Sequence, residues 1–228
     1  MRIGLNNVSC YMKIDLNRPP KLYRYSERKW LDLSLRLGEF RLRPASEYKS
    51  MEVSVARTDD EQHRRIVLRN PQITHVKTGQ PLIPVGDVVM ASNIDSDYLT
   101  LCVATVYSDH FYQDFEGSDA CLIIHNPDHF FDRMYKAIDS ELPNSWGAAD
   151  GPVSYGSCSS LGAPFTKPEK FLFQFEWRFM CLPIPSLSKC EATVVTLGSI
   201  EDIAEVITAP DSATQLTSRS SGHRTGTA

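Results

Sequence analysis

The segment FLFQFEWRFMCL, residues 171–182, alternates between two kinds of side chain with a period of two residues. One set is aromatic: Phe171, Phe173, Phe175, Trp177 and Phe179. The other set contains Leu172, Gln174, Glu176, Arg178 and Met180. Because successive side chains of a β-strand point to opposite faces of a sheet, the pattern predicts a strand whose aromatic face is turned toward the core. The polar side chains Gln174, Glu176 and Arg178 are then expected to share the other face.

Several segments on both sides of this one predict further strands. Residues 98–107 and 120–124 are nearly continuous β-prone runs, which is typical of central strands covered on both faces. Shorter runs of the same character are residues 22–25, 40–43 and 193–197. The chain therefore has enough strands for one large sheet.

Three helices are predicted around these strands. The first has an apolar stripe from Trp30 to Leu37 and ends at Gly38, and the second begins after the N-cap Asn126. A third is predicted over residues 199–207, which start with a sequence similar to a capping box. Residues 143–168 are rich in Gly, Ser and Pro and are predicted to form a long loop with a possible short strand at its centre.

These elements predict a single α+β domain over residues 1–208, with helices packed on a bent, mixed or antiparallel sheet. Residues 209–228 are predicted to be a disordered tail, since they contain almost no apolar anchor. The chain of 228 residues is 42% hydrophobic and 23% charged, which is typical of a globular protein. Its net charge of −4 excludes a global basic field for nucleic acid.

Targeting and metal signals are not recognisable in the sequence. No apolar run approaches the roughly 20 residues of a transmembrane helix, and the N-terminal residues do not resemble a signal peptide. A cytoplasmic protein without a membrane partner is expected. The six cysteines include no C-x-x-C pair and the histidines are isolated, so reduced thiols and no metal are expected. The oligomeric state is not predicted.

The polar row Gln174, Glu176 and Arg178 has two interpretations. A solvated strand face with a weak surface ion pair is the simpler one. Alternatively, Glu176 lies at the floor of a cleft, where its carboxylate accepts a ribose hydroxyl and stabilises positive charge on an adjacent anomeric carbon. Gln174 would then orient the nucleophile.

The short segment LYRYS, residues 22–26, is a second candidate. Arg24 is a fixed cation suited to phosphate or ribose, and Tyr23 or Tyr25 could stack on a flat ring. The alternative is an edge strand with one outward Arg.

The order of these motifs resembles the ADP-ribosyltransferase fold. The shared features are a short strand LYRYS, a helix, a Gly, a strand FRLRP and a late strand FQFEWRF. The chain also resembles uncharacterised bacterial proteins, some associated with phage defence. These carry a segment K-x-x-x-F/Y-x-x-Q-x-E-F/W-R, matched here to residues 170–178, and a later G-S-I-x-D-I, matched to residues 198–203.

The resemblance implies transfer of ADP-ribose from NAD, used as a substrate, to a protein or nucleic-acid acceptor. Glu176 would be the catalytic carboxylate and Gln174 would position the acceptor. The implied NAD-binding residues are Arg24, Tyr25, Tyr155 and Arg178, with Tyr25 or Tyr155 stacked on nicotinamide. The Ser-Thr-Ser motif of one branch of that superfamily has no clean counterpart. The alternative function is a non-catalytic sensor or interaction module of a bacterial defence system.

Overall fold

The computed structural model describes residues 17–48, 62–68, 71–143 and 145–210. Its strands are β1 (Leu22–Ser26), β2 (Glu39–Pro44), β3 (His63–Leu68), β4 (Ile73–Thr74), β5 (Pro81–Leu82), β6 (Val88–Asn93), β7 (Leu99–Ala104), β8 (Ala120–Ile124), β9 (Trp146–Pro152), β10 (Ser154–Tyr155), β11 (Thr166–Lys167), β12 (Glu176–Pro183), β13 (Thr193–Thr196) and β14 (Ala204–Thr208). Its α-helices are α1 (Arg28–Leu37), α2 (Ala45–Tyr48), α3 (Phe111–Asp114) and α4 (Pro127–Glu141), and its 3-10 helices are Ala163–Phe165 and Glu169–Gln174.

Eight of the strands form one antiparallel sheet. The strand order is β13-β2-β7-β1-β8-β14, with β12 paired to β7 and β9 paired to β12. Strands β3 and β6 form a separate ribbon, and so do β4 and β5. A mixed α+β protein with a large antiparallel sheet and few helices is therefore confirmed.

The predicted helices α1 and α4 form for the reasons visible in the sequence. Gly38 ends α1 in the left-handed conformation, and its N–H donates to the carbonyl of Leu33. Asn126 caps α4, because its side-chain oxygen accepts a hydrogen bond from the N–H of His129 at 3.1 Å. Both helices contribute to the main core, where Phe131 of α4 stacks on Phe179 of β12 with ring centroids 6.0 Å apart.

The predicted strand over residues 171–182 is correct only from Glu176 onward. The first part is a 3-10 helix, and Phe175 has a left-handed backbone with φ of 44°. The physical reason is that the neighbouring strand β7 ends at Ala104, which lies opposite Glu176. Thr105, the residue after β7, still donates its backbone N–H to the carbonyl of Phe175 at 2.8 Å, but the strand pairing goes no further. The residues before Phe175 turn despite their alternating sequence, and Phe173 and Phe175 are exposed.

Two other predictions are wrong for a related reason. Residues 199–207 do not form a helix: a turn precedes β14, which pairs along the edge of β8. Residues 143–168 are not mainly a loop, because the Gly-rich segment Trp146–Pro152 pairs with β12 along seven residues. In both cases an available strand edge determines the structure more strongly than local sequence does.

The predicted tail lies outside the described residues except for Ala209 and Pro210. None of the helices in the described part of the chain is long and apolar enough to cross a membrane.

Gly38 is expected to be intolerant of a side chain. It has φ of 70°, and a Cβ atom there would lie 2.0 Å from the backbone oxygen of Gly198. We expect Gly38→Ala to lower the free energy of unfolding by about 2–4 kcal/mol, measured by urea denaturation, because backbone strain and a clash add. Gly198→Ala is a matched control, with φ of 73° and open space around the new Cβ. It should lose only about 1–2 kcal/mol, and equal losses in the two variants would contradict the clash.

Candidate functional site

The large sheet divides beside β7. Strand β12 pairs with β7 along six residues, so β1 and β2 share the opposite edge of β7. On that edge β1 pairs at Ala104, whereas β2 pairs at Thr100 and Leu99. The residues between these two points, Leu101 to Val103, line a cleft that opens between β1 and β2.

This cleft has a volume of about 260 Å³ and a mixed cationic and aromatic lining. Its basic side chains are Arg24, Arg41, Arg43 and Lys167. Its acidic side chains are Glu27, Glu116 and Glu176, and its aromatic ones are Tyr23, Tyr25, Trp30, Tyr48 and Phe115. Arg41 and Arg43 reach it together because they alternate with the core residues Phe40 and Leu42 on β2.

Glu176 lies at the floor of the cleft, at the first position of β12. Its carboxylate is held by two cations: Lys167 Nζ lies 2.6 Å from Oε2, and Arg178 Nε lies 2.7 Å from Oε1. All three side chains are almost completely buried. Arg178 also donates to the carbonyl oxygen of Pro164, and Lys167 donates to Oε1 of Gln174 at 2.9 Å. The result is a buried polar network.

The charge state of Glu176 follows from this network. Burial by itself would raise the pKa of the carboxyl group, because desolvation disfavours the charged form. The charges of Arg178 and Lys167 outweigh burial and lower the pKa below its ordinary value near 4.5. Glu176 is therefore an ionised carboxylate at neutral pH.

Four of the predicted site residues meet in the cleft: Arg24, Tyr25, Gln174 and Glu176. Gln174 comes there from the end of a 3-10 helix rather than from the predicted strand. Tyr25 packs edge-on against Phe111 and Tyr112, and its hydroxyl accepts a hydrogen bond from the N–H of Ser108. Burial raises the pKa of the Tyr25 hydroxyl, so this group is neutral.

The other two predicted residues, Arg178 and Tyr155, contact Glu176 but are not among the residues that line the cleft. Arg178 is completely buried against Glu176. The Tyr155 hydroxyl accepts a hydrogen bond from the backbone N–H of Glu176 at 2.8 Å, and burial raises its pKa to about 12. The structure thus places Arg178 and Tyr155 as residues that position Glu176.

Sequence reasoning missed Lys167, Arg41 and Arg43. The spacing K-x-x-x-F-x-x-Q-x-E-W-R, counted back from Gln174, begins at Lys167 and not at Lys170. The motif spacing is therefore the signal that identifies Lys167, and its ammonium group forms an ion pair with Glu176. Arg41 and Arg43 were visible as an alternating pair on a strand, but their proximity to Glu176 depends on the order of the strands.

The comparisons with known proteins add no relative: no family model matches the chain, and neither does any curated protein or solved structure.

Proposed function

We propose that the protein is an ADP-ribosyltransferase that binds NAD in the cleft and transfers ADP-ribose to a protein or nucleic-acid acceptor. The observation that carries the proposal is the meeting of Arg24, Gln174 and Glu176 in one cleft. Arg24 and Gln174 are separated by 150 positions in the sequence. The resemblance of the strand motifs to ADP-ribosyltransferases assigns them to a single site.

The lining is suited to a dinucleotide. Arg24, Arg41 and Arg43 offer planar guanidinium groups that can donate paired hydrogen bonds to a diphosphate. Tyr23, Trp30 and other aromatic side chains offer flat surfaces for adenine or nicotinamide. A cleft of about 260 Å³ is slightly smaller than the ~300–1,000 Å³ typical of small-molecule sites, so it encloses one part of NAD.

In the proposed reaction, the bond between the anomeric carbon of the ribose and the nicotinamide nitrogen breaks. Nicotinamide leaves as a neutral molecule with the electron pair of that bond. The ionised Glu176 stabilises the positive charge that develops on the ribose, and Gln174 positions the acceptor. A lone pair of the acceptor forms the new bond to the anomeric carbon, and its proton passes to solvent.

The network around Glu176 favours a second candidate function. Both carboxylate oxygens already accept hydrogen bonds from cations, and the side chain is only 5% exposed. A carboxylate neutralised in this way stabilises a developing cation less effectively. A sensor or interaction module of a bacterial defence system, which binds a nucleotide without chemistry, fits this observation.

Release of nicotinamide from NAD distinguishes the two functions. Water can replace an unidentified acceptor, so we expect the wild-type protein to release nicotinamide, measured by chromatography. Gln174→Ala should reduce the rate about tenfold or more while the ion pairs of Glu176 remain. Leu172→Ala is a control on the same 3-10 helix, at a half-exposed side chain outside the cleft lining. Saturable NAD binding without nicotinamide release would support the non-catalytic module instead.

A further inference from the structure

A region of short paired strands is separate from the large sheet. It consists of residues 63–68 and 71–93, here named the arm: β3 pairs with β6, and β4 pairs with β5. Its base is anchored to the body, because the buried Arg64 donates a hydrogen bond to the carbonyl of Thr166 at 2.5 Å. An isolated two-stranded ribbon is only marginally stable in water, so an arm of this kind gains from a partner surface.

The arm exposes an unusual number of apolar side chains. Val76, Ile83 and Val85 are each more than 90% exposed. Four others are about half exposed: Val67, Leu82, Val89 and Met90. Single exposed apolar residues are normal, but a cluster on one element is typical of an interaction surface.

The arm is also basic, whereas the rest of the chain is acidic. Within the arm the basic residues are Arg64, Arg65 and Lys77, of which Arg64 is buried at the base, and the acidic residue is Asp87. Because the whole chain has a net charge of −4, the remaining residues carry the excess of negative charge. Self-association of arm with arm would bring like charges together, whereas docking of an arm on the body brings opposite charges together.

One segment of the body has the complementary character. Residues 106–119, here named the acidic segment, contain Asp109, Asp114, Glu116 and Asp119 and no Lys or Arg. All four carboxylates belong to exposed residues, and Val106 and Tyr107 beside them are 37% and 40% exposed. The acidic segment thus combines apolar surface with negative charge, whereas the arm combines apolar surface with positive charge.

We propose that the arm of one molecule docks on the acidic segment of a second copy of this chain, giving a reciprocal dimer. Two-fold symmetry lets each copy supply one arm and one acidic segment, so both apolar surfaces are covered at once. Glu116 lines the cleft, so the docked arm of the partner lies at its mouth. The proposal does not depend on the identity of the ligand in the cleft.

The arm is also connected to the floor of the cleft. Arg64 at its base binds the carbonyl of Thr166, and the next residue, Lys167, pairs with Glu176. The base of the arm and the candidate catalytic carboxylate are therefore held by consecutive residues of β11.

The test is sedimentation equilibrium of the full-length protein with two charge-reversed variants. The wild type is expected to have twice its chain mass of 25.7 kDa. Variant A reverses the arm (Arg65→Glu with Lys77→Glu), and variant B reverses the acidic segment (Asp114→Lys with Glu116→Lys). Each variant alone should dissociate at least about tenfold more readily, because like charges then face each other. An equal mixture of A and B should restore the dimer. In the mixed dimer the acidic arm of A meets the basic segment of B, and the basic arm of B meets the acidic segment of A.

An apolar variant and its control complete the test. Ile83→Asp with Val85→Asp should give a monomer, whereas Val194→Asp, at an exposed site on the edge strand β13, should leave the dimer unchanged. A wild type that remains monomeric at 100-fold the concentration used for the variants overturns the proposal. A dimer that the mixture of A and B fails to restore also overturns it. A monomer whose arm binds duplex DNA or anionic phospholipid vesicles overturns it in favour of that occupant.

Discussion

Glu176→Gln is expected to lower the free energy of unfolding by about 3–5 kcal/mol at pH 7. The substitution removes the only negative charge between Lys167 and Arg178 in the described network, and both cations are nearly inaccessible to water. A buried cation without its counter-ion is strongly unfavourable. Urea denaturation followed by circular dichroism measures the loss. Glu191→Gln, at an exposed site, is the matched control and should change stability by less than about 0.5 kcal/mol.

The same variant is expected to release no nicotinamide, because the developing charge on the ribose loses its carboxylate. The assay is made at a temperature where circular dichroism shows the variant folded. A folded Glu176→Gln protein that retains wild-type turnover contradicts the assigned role of Glu176.

The pH dependence of the stability loss in Glu176→Gln follows from the direction of the pKa shift of Glu176. The pKa of Glu176 is lowered in the folded state relative to its ordinary value near 4.5. Between these two pKa values the unfolded chain binds more protons than the folded one, so stability rises with pH across this window. The contribution of Glu176 is thus complete above about pH 5 and disappears as the pH falls through the folded pKa. The stability difference between wild type and Glu176→Gln should accordingly narrow below pH 4.5, and a constant difference would argue against an ionised Glu176.

Arg24→Ala is expected to weaken NAD binding about 10- to 100-fold, the effect of losing charge-assisted hydrogen bonds to a phosphate or ribose. Equilibrium dialysis with radiolabelled NAD measures the change. Arg36→Ala is the control, because Arg36 is an exposed arginine in the last turn of α1, outside the cleft lining. Equal affinities for Arg24→Ala and wild type would remove Arg24 from the binding site.

Local sequence patterns were sufficient to predict those elements whose structure does not depend on a neighbouring strand. The apolar run of β8 and the Asn126 cap of α4 are recognisable without knowledge of any partner. The structure of residues 169–174 was not predictable in this way, because the alternation continues past the point where β7 ends. Likewise, Ala204–Thr208 has a helical pattern but lies beside the open edge of β8.

The candidate site, too, was predictable in part from local sequence, and the rest depends on how the strands are arranged. Arg24 and Glu176 were recognised from residue type and motif, and the strand order brings them together. The burial of Glu176 between Lys167 and Arg178 was not predictable, since a polar row on a strand is equally compatible with a solvated face. Lys167 lies on β11, which pairs in parallel with β10, and its side chain lines the cleft beside Glu176.

The most direct measurement is an isothermal titration of the wild-type protein with NAD. Binding of NAD in a cleft formed by Arg24, Arg41 and Arg43 predicts a saturable isotherm with one site per chain. It also predicts that rising salt weakens the affinity, because the proposed contacts join guanidinium groups to a charged diphosphate. A folded protein that gives no binding heat at millimolar NAD, and retains no NAD in equilibrium dialysis, would contradict the account.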